Sequence, residues 1–196
     1  MEFEYFFLVI SSTLWGFFLK LNDLSIDDGV KFFKRSDILI SFTTSFFGIF
    51  TLFFSPISIK IFWFGVILSW ILRGKIDHYF HGLWAFLMIF YLLQTTNPSL
   101  YTLNLLAVFI PLSIIGFIHD RIKEKYKLKF NKKRLSISEI VFLKNFWVFW
   151  VILSIIYSFY FDNNFLLIFS VIGFLAGYTI HYSKFFQKIF KKYRSN

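Results

Sequence analysis

The residues of this chain that could perform chemistry first appear at the end of an almost unbroken apolar run, from Phe6 to Leu19. Four potential oxygen ligands follow that run closely: Asn22, Asp23, Asp27 and Asp28. Asp23 and Asp27 are four residues apart, and on a continuing helix such residues share one face. Their carboxylates could then hold one hard cation between them. The spacing therefore predicts a metal site where a membrane helix ends.

Three further polar clusters follow later apolar segments. The second comprises Arg73, Lys75, Asp77, His78 and His81, the third comprises His119, Asp120, Arg121 and Glu124, and the fourth is His181. Titratable side chains at membrane depth are costly to desolvate, so they usually have partners or a task. Each cluster also has a structural interpretation, because helix ends often carry charged residues as caps, dipole partners and interface anchors.

Several carboxylates together with an amide oxygen favour Mg²⁺ over a soft metal. Mg²⁺ is typically held by a few carboxylates and by phosphate oxygens of the substrate. The candidate metal ligands are Asn22, Asp23, Asp27, Asp77, Asp120 and Glu124. The cations that could neutralise phosphate are Lys20, Arg73, Lys75 and Arg121. Since aromatic-rich helices would also accommodate a hydrocarbon tail, the set predicts a lipid diphosphate as substrate.

Two histidines could move a proton in such a site. His78 and His81 are three apart, so they are neighbours on a helix face if their segment is helical. They are candidate catalytic residues in general acid–base roles. Binding of zinc or an iron-type metal with Asp77 or Asp120 is the alternative, although spacing alone does not define a third ligand.

Composition restricts the class of protein. Of 196 residues, 57% are hydrophobic and 24% aromatic, which predicts an integral membrane protein. The chain has no cysteine, so disulfides, thiolate nucleophiles and Cys-ligated metals are excluded. We expect no nucleic-acid partner despite a net charge of +10, because membrane proteins concentrate Lys and Arg on the cytoplasmic side.

Hydropathy predicts an all-α helix bundle in a single membrane domain, residues 1–196, with a basic cytoplasmic tail at 181–196. The apolar segments lie at Glu4–Leu19, Ile38–Phe54, Ile57–Leu72, Phe80–Leu93, Leu100–Ile118, Ile140–Phe161 and Phe165–Ile180. Several are shorter than the roughly 20 residues that cross a bilayer, but flanking Lys, Trp and Tyr can anchor short helices. We predict seven transmembrane helices, of which the fourth has a re-entrant segment as its alternative.

The basic residues predict the orientation. All of them except Lys60 belong to connections or helix ends on one side of a seven-helix topology. The N-terminus is then outside and the C-terminus cytoplasmic, with the cell membrane as the expected location. All four polar clusters face the cytoplasm in this arrangement. The loop at 121–134 alternates basic and apolar residues, and we expect it to lie on anionic lipid.

The acidic clusters resemble those of the UbiA-type membrane prenyltransferases. That family has two aspartate-rich motifs at cytoplasmic helix ends, which bind a polyprenyl diphosphate through Mg²⁺. Asn22 and Asp23, with Asp27 and Asp28, resemble the first motif, and Asp120 with Glu124 occupies a place like the second, four helices later. The resemblance implies prenyl transfer, with seven helices corresponding to the family's nine without the first and last.

We therefore expect a membrane enzyme that acts on an isoprenoid diphosphate or another lipid phosphate with Mg²⁺. Two alternatives from other classes stay open. One is a small transporter or channel with a charged cytoplasmic vestibule, which would need polar residues along the path through the membrane. The other is a non-catalytic scaffold subunit that presents its basic loop to a partner.

Overall fold

The fold was analysed in a computed structural model of the chain. The structure describes residues 2–27, 30, 32–76, 78–128, 137–162, 165–183 and 186. Within these ranges the chain is all-α, with no strand. The predicted fold class is confirmed at this level.

Each predicted apolar segment is helical. The helices in the first part of the chain are α1 (Glu2–Asp27), α2 (Ser36–Phe53), α3 (Ile57–Leu72), α4 (Tyr79–Thr95) and α5 (Thr102–Leu128). They are followed by α6 (Ile137–Lys144), α7 (Phe146–Tyr157) and α8 (Leu166–Thr179). A π-helical turn at Ser158–Asp162 extends α7, and 3₁₀ turns occupy Pro98–Tyr101 and Ile180–Tyr182.

Three helix boundaries differ from the prediction. α1 continues through the acidic motif to Asp27, and α5 continues into the basic run to Leu128, because polar residues interrupt an apolar run without interrupting backbone hydrogen bonding. The sixth predicted segment is divided at Asn145 into α6 and α7. The fourth is one continuous helix of 17 residues.

A tight turn at Ser55 and Pro56 joins the second and third helices, which pack mainly against other helices: α2 against α1 and α4, and α3 against α5 and α4. The backbone N–H of Ser55 donates to the carbonyl of Leu52 at 3.1 Å, which closes α2. Pro56 then precedes the first residue of α3 in an extended conformation. Proline suits this position because the first N–H groups of a helix have no partner within it.

Within the described part of the chain, three helices are long and apolar enough to cross a membrane. They cover residues 5–26, 36–53 and 99–125, with lengths of 22, 18 and 27 residues. The other apolar helices, at residues 57–72, 81–95, 146–161 and 166–179, are shorter.

The helices pack around an aromatic core, and α1 and α8 approach each other closely. A Cβ atom on Gly16 would overlap the backbone of Phe174, and one on Gly177 would overlap the backbone of Thr13. Above this contact Trp15 lies 4.5 Å from Trp63, between ring centroids. Small residues at the contact thus let large rings fill the adjoining space.

Side-chain contacts identify the two ends of the bundle. At one end, which we call the opposite end, the rings of Phe7 and Phe54 stack at 6.2 Å, and the Tyr157 hydroxyl donates to the Ser58 carbonyl at 3.2 Å. The other end, where α1, α3, α5 and α8 finish and α2 and α4 begin, carries the predicted polar clusters. We call it the basic end.

Candidate functional site

A group of polar contacts at the basic end joins α3 and α5 around Asp120. Arg73 donates from Nε and Nη2 to Asp120 Oδ2, at 3.0 and 2.9 Å. Lys75 Nζ lies 2.9 Å from Oδ1 of the same carboxylate, and His119 Nδ1 lies 3.4 Å from it. We call Arg73, Lys75, His119 and Asp120 the Asp120 cluster. Two of its bases come from the end of α3, and the other two residues come from α5.

The end of α3 explains how Arg73 and Lys75 reach Asp120. Gly74 has a φ of 65°, in the left-handed region that glycine adopts without a Cβ penalty. The N–H of Lys75 donates to the Trp70 carbonyl at 2.9 Å, and the N–H of Gly74 donates to the Ile71 carbonyl at 3.0 Å. This Schellman arrangement ends the helix. It leaves a cation on each side of the glycine, next to α5.

A second glycine makes room for the guanidinium group. A Cβ on Gly116 of α5 would overlap Cζ, Nε and Nη1 of Arg73. Gly116 lies four residues, or about one helical turn, before Asp120. The guanidinium therefore packs on the bare backbone of α5, where its side chain is only 6% exposed.

The electrostatic balance of the Asp120 cluster favours an additional anion. Two cations, Arg73 and Lys75, meet one carboxylate that is 15% exposed. Arg73 is buried, whereas the Lys75 side chain is 44% exposed and can turn toward solvent. Among the described residues of the cluster, the two cations therefore exceed the one carboxylate by one charge, and Lys75 is both paired with Asp120 and partly exposed to solvent.

A separate polar group surrounds Asp23 of α1. Tyr178 of α8 donates from its hydroxyl to Asp23 Oδ2 at 2.8 Å, and Lys20 Nζ lies 3.8 Å from the same oxygen. His81 Nε2 lies 3.5 Å from Asp23 Oδ1. We call Lys20, Asp23, His81 and Tyr178 the Asp23 cluster. It joins the ends of α1, α4 and α8 at the basic end.

The residues between α3 and α4 connect the two clusters in the chain. Arg73 and Lys75 belong to the Asp120 cluster, and His81, one turn into α4, belongs to the Asp23 cluster. Aromatic rings pack near both clusters: Trp147 is 5.0 Å from Tyr178, and Trp70 is 5.7 Å from Trp150. Among the described residues, the polar contacts form two clusters.

Asn22 lies inside the bundle. It is fully buried, and its Oδ1 accepts a hydrogen bond of 2.8 Å from Ser41 of α2. Its Nδ2 is buried without a hydrogen-bond partner among the described residues. The amide oxygen that was predicted to bind metal therefore contributes to the contact between α1 and α2.

The remaining predicted residues have different surroundings. His78 is exposed and its ring centroid lies 6.2 Å from that of His81, which is buried. Arg121 and Glu124 are exposed on α5. The Asp27 side chain, Asp77 and Asp28 lie outside the described residues, as do positions 129–136 of the basic loop and most of the tail.

The described part of the chain contains no group of three or more His, Asp or Glu side chains placed to hold a metal ion. Asp120 and Asp23 belong to different clusters, each with basic partners. Asp27 and Asp77, whose side chains are not described, belong to the predicted ligand set. Magnesium binding by that set stays a prediction.

Sequence reasoning missed Tyr178, which carries the shortest hydrogen bond to Asp23. The sequence feature that could have identified Tyr178 is its position three residues before His181, on the same helical face. His181 contacts α1 as well: its Nε2 lies 3.1 Å from the Phe17 carbonyl and its ring stacks on Phe17 at 4.7 Å. Burial lowers the pKa of His181, the hydrogen bond with the Phe17 carbonyl raises it, and the charge of Lys20 lowers it. The ring packs against α1 through its contact with Phe17.

Comparisons with protein-family models, curated proteins and solved structures find no match to this chain. The resemblance to UbiA-type prenyltransferases consequently depends on the acidic motifs alone and stays a prediction.

Proposed function

We propose that this protein is a membrane enzyme that binds an isoprenoid diphosphate, or another lipid phosphate, with Mg²⁺ at the basic end. Prenyl transfer is the reaction that the acidic motifs suggest. In this proposal the helices cross the membrane seven times, and the basic end faces the cytoplasm.

The observation that carries the proposal is the Asp120 cluster. Arg73 and Lys75 converge on one carboxylate, and the cations exceed the acid by one charge. A phosphate group is the ligand that such an excess attracts at the membrane surface, because charged groups there are only partly screened by water. Lys75, which is 44% exposed, would bind the diphosphate, while Arg73 holds Asp120 in place.

The Asp23 cluster supplies the groups for metal and proton chemistry. Asp23 is 24% exposed, so one of its oxygens can reach a hydrated Mg²⁺, which usually keeps several of its waters. His81 beside it is a candidate acid or base, with Asp23 orienting its ring. Asp27 and Asp77 complete the proposed ligand set. Lys20 would neutralise substrate charge on the same side.

The proposal is tested by thermal unfolding of the protein in detergent. We expect Mg²⁺ and geranylgeranyl diphosphate to raise the midpoint together and neither to do so alone. Binding to the native state contributes about 2.7 kcal/mol when free ligand is about 100 times its Kd. Geranylgeraniol, which lacks the diphosphate, should produce no shift.

Three variants make the test specific. Lys75→Gln should weaken the shift through loss of phosphate binding. Asp23→Asn should remove the shift that Mg²⁺ and the diphosphate produce together, through loss of Mg²⁺ binding. Lys60→Gln is the matched control, because it removes one positive charge from the first turn of α3 rather than from its end. A full shift in both test variants would contradict the assignment.

A transporter is the second candidate, and the buried polar residues of α2 favour it. Hydroxyl groups line the inner face of this helix over much of its length: Ser36, Ser41, Thr44, Ser45 and Thr51 are all at most 3% exposed. Most of them donate to carbonyls of their own helix, as Thr44 does to Ile40 at 2.8 Å, which leaves oxygen lone pairs for a passing cation. Cation flux in proteoliposomes, without any diphosphate-dependent stabilisation, would support this candidate over the enzyme.

A further inference from the structure

An apolar groove lies at the basic end, on a face of α1 that the two polar clusters do not use. Its volume is about 290 Å³. Its walls come from α1, α2, the connection between them and the tail, and its lining residues are Phe17, Phe18, Leu21, Phe32, Phe33, Leu39, Ile40, Thr43 and Phe186. Thr43 is the single residue with a polar side-chain group among the described residues of that lining. The groove therefore offers a ligand contact with hydrocarbon and little hydrogen bonding.

The two helices that form the groove are both long and apolar enough to cross a membrane. The groove runs beside α2 from its first turns to Thr43. From Arg35 to Thr43 the helical rise corresponds to about 12 Å, which is a substantial part of one acyl chain. In the proposed membrane topology, a groove beside these two helices lies against lipid.

Two cations adjoin the groove in the chain. Lys34 and Arg35 directly follow the lining residue Phe33 and are both exposed. The turn that carries them is closed by the N–H of Ser36, which donates to the Phe33 carbonyl at 3.1 Å. Arg35 has a φ of 66°, the only positive φ of a non-glycine residue among those described. The folded chain thus holds a basic pair next to an apolar groove.

We propose that this groove binds one acyl chain of an anionic phospholipid, whose headgroup phosphate contacts Lys34 and Arg35. The charge of this basic pair selects an anionic over a zwitterionic lipid, since each basic side chain near a membrane surface favours anionic lipid. The apolar walls take the chain because hydrocarbon has no hydrogen bonds to lose there. The bound lipid would hold the connection 32–35 against α1 and α2. This inference requires the proposed membrane residence but not the proposed enzymatic chemistry.

The test is native mass spectrometry of the delipidated protein, titrated with phosphatidylglycerol or with phosphatidylcholine of the same chains. We expect the first phosphatidylglycerol to bind about tenfold more tightly than later ones and than phosphatidylcholine. Thr43→Trp, which fills the groove, should remove this first tight site. Phe42→Trp is the matched control, because Phe42 is the adjacent residue, is 53% exposed and does not line the groove.

A second variant tests the headgroup without altering the groove walls. Lys34→Gln combined with Arg35→Gln should bring the ratio of the affinities for phosphatidylglycerol and phosphatidylcholine close to one, while some binding of both lipids remains. Retention of the first tight site in Thr43→Trp, or an equal loss in Phe42→Trp, would overturn the proposal. So would an unchanged lipid preference in the double variant. Absence of a first tight phosphatidylglycerol site in the wild type would overturn the proposal as well.

Discussion

At the scale of single residues, burial decides how much each polar contact matters. Arg73 is 6% exposed, and both of its hydrogen-bonding nitrogens point to Asp120. Asp23 is 24% exposed, and its partners include a neutral tyrosine hydroxyl. A buried cation that loses its carboxylate cannot be solvated by water in its place. Asp120 therefore contributes more to stability than Asp23 does, although the sequence alone gives no reason to distinguish them.

This difference predicts the result of paired substitutions. Asp120→Asn should destabilise the protein by about 3 kcal/mol, because it leaves the buried Arg73 charge without its counterion. Asp23→Asn should cost only about 0.5 kcal/mol, since the Lys20 ammonium lies as far as 3.8 Å from the carboxylate and the Tyr178 hydroxyl can still donate to the amide oxygen. Thermal unfolding of both variants in one detergent measures the difference.

The second variant is the control for the first. Both changes remove one acidic charge and retain the size of the side chain. A larger loss of stability in Asp23→Asn than in Asp120→Asn would contradict the assigned geometry of Arg73.

At the scale of helices, contact between α1 and α8 depends on glycine at the crossing. Gly16 and Gly177 leave no room for a Cβ atom against the facing backbone of Phe174 and Thr13. In lipid, the hydrophobic effect does not drive helices together, because lipid tails are as apolar as the helix surfaces. Dispersion contacts between closely approaching backbones drive helix association instead. The same crossing brings Tyr178 to Asp23, so the packing and the Asp23 cluster are coupled.

Gly177→Ala should therefore separate α1 from α8 and destabilise the protein by about 2 kcal/mol, a typical cost of overpacking. The substitution should also weaken the contact between Tyr178 and Asp23. Ala176→Leu is the control on the same helix, because Ala176 is exposed and added methyl groups there meet no protein. Thermal unfolding of both variants tests this, and equal midpoints would show that the crossing tolerates a Cβ atom.

At the scale of the whole molecule, the polar residues gather at one end because successive helices alternate in direction. Ends of α1, α3, α5 and α8 meet there, so residues as far apart as Asp23 and Tyr178 come within 2.8 Å. The opposite end contains apolar contacts such as Phe7 with Phe54. This asymmetry is the arrangement that a positive-inside topology requires.

Cysteine accessibility can test the topology directly, because the natural chain has no cysteine. An impermeant maleimide applied to intact cells should label Phe54→Cys and Asn97→Cys, whose positions are exposed at the opposite end. Glu124→Cys and Ser183→Cys, exposed at the basic end, should react only after permeabilisation. The cysteine-free parent should remain unlabelled. Labelling of one position from each pair in intact cells would contradict the seven-span topology.

The helices could be predicted from the sequence because their signals are local. An apolar run such as 57–72 specifies where a helix lies, and the Ser55-Pro56 pair specifies where the preceding one ends. Local sequence predicts less well whether the polar residues at the end of an apolar run continue the helix. α1 continues to Asp27 and α5 to Leu128, since backbone hydrogen bonds propagate through polar residues as readily as through apolar ones.

The sequence by itself determined the all-α class, the position of the helices and the concentration of charge in particular connections. Only the tertiary structure decided which charges are partners. Arg73 meets Asp120 across 47 residues because Gly116 opens a space for its guanidinium, and Asn22 faces Ser41 rather than a solvent-exposed site. Helix formation and hydropathy depend on neighbours in the chain, whereas these pairings depend on how closely two helix surfaces can approach. That approach is set by side chains far apart in sequence, so no single stretch of residues contains it.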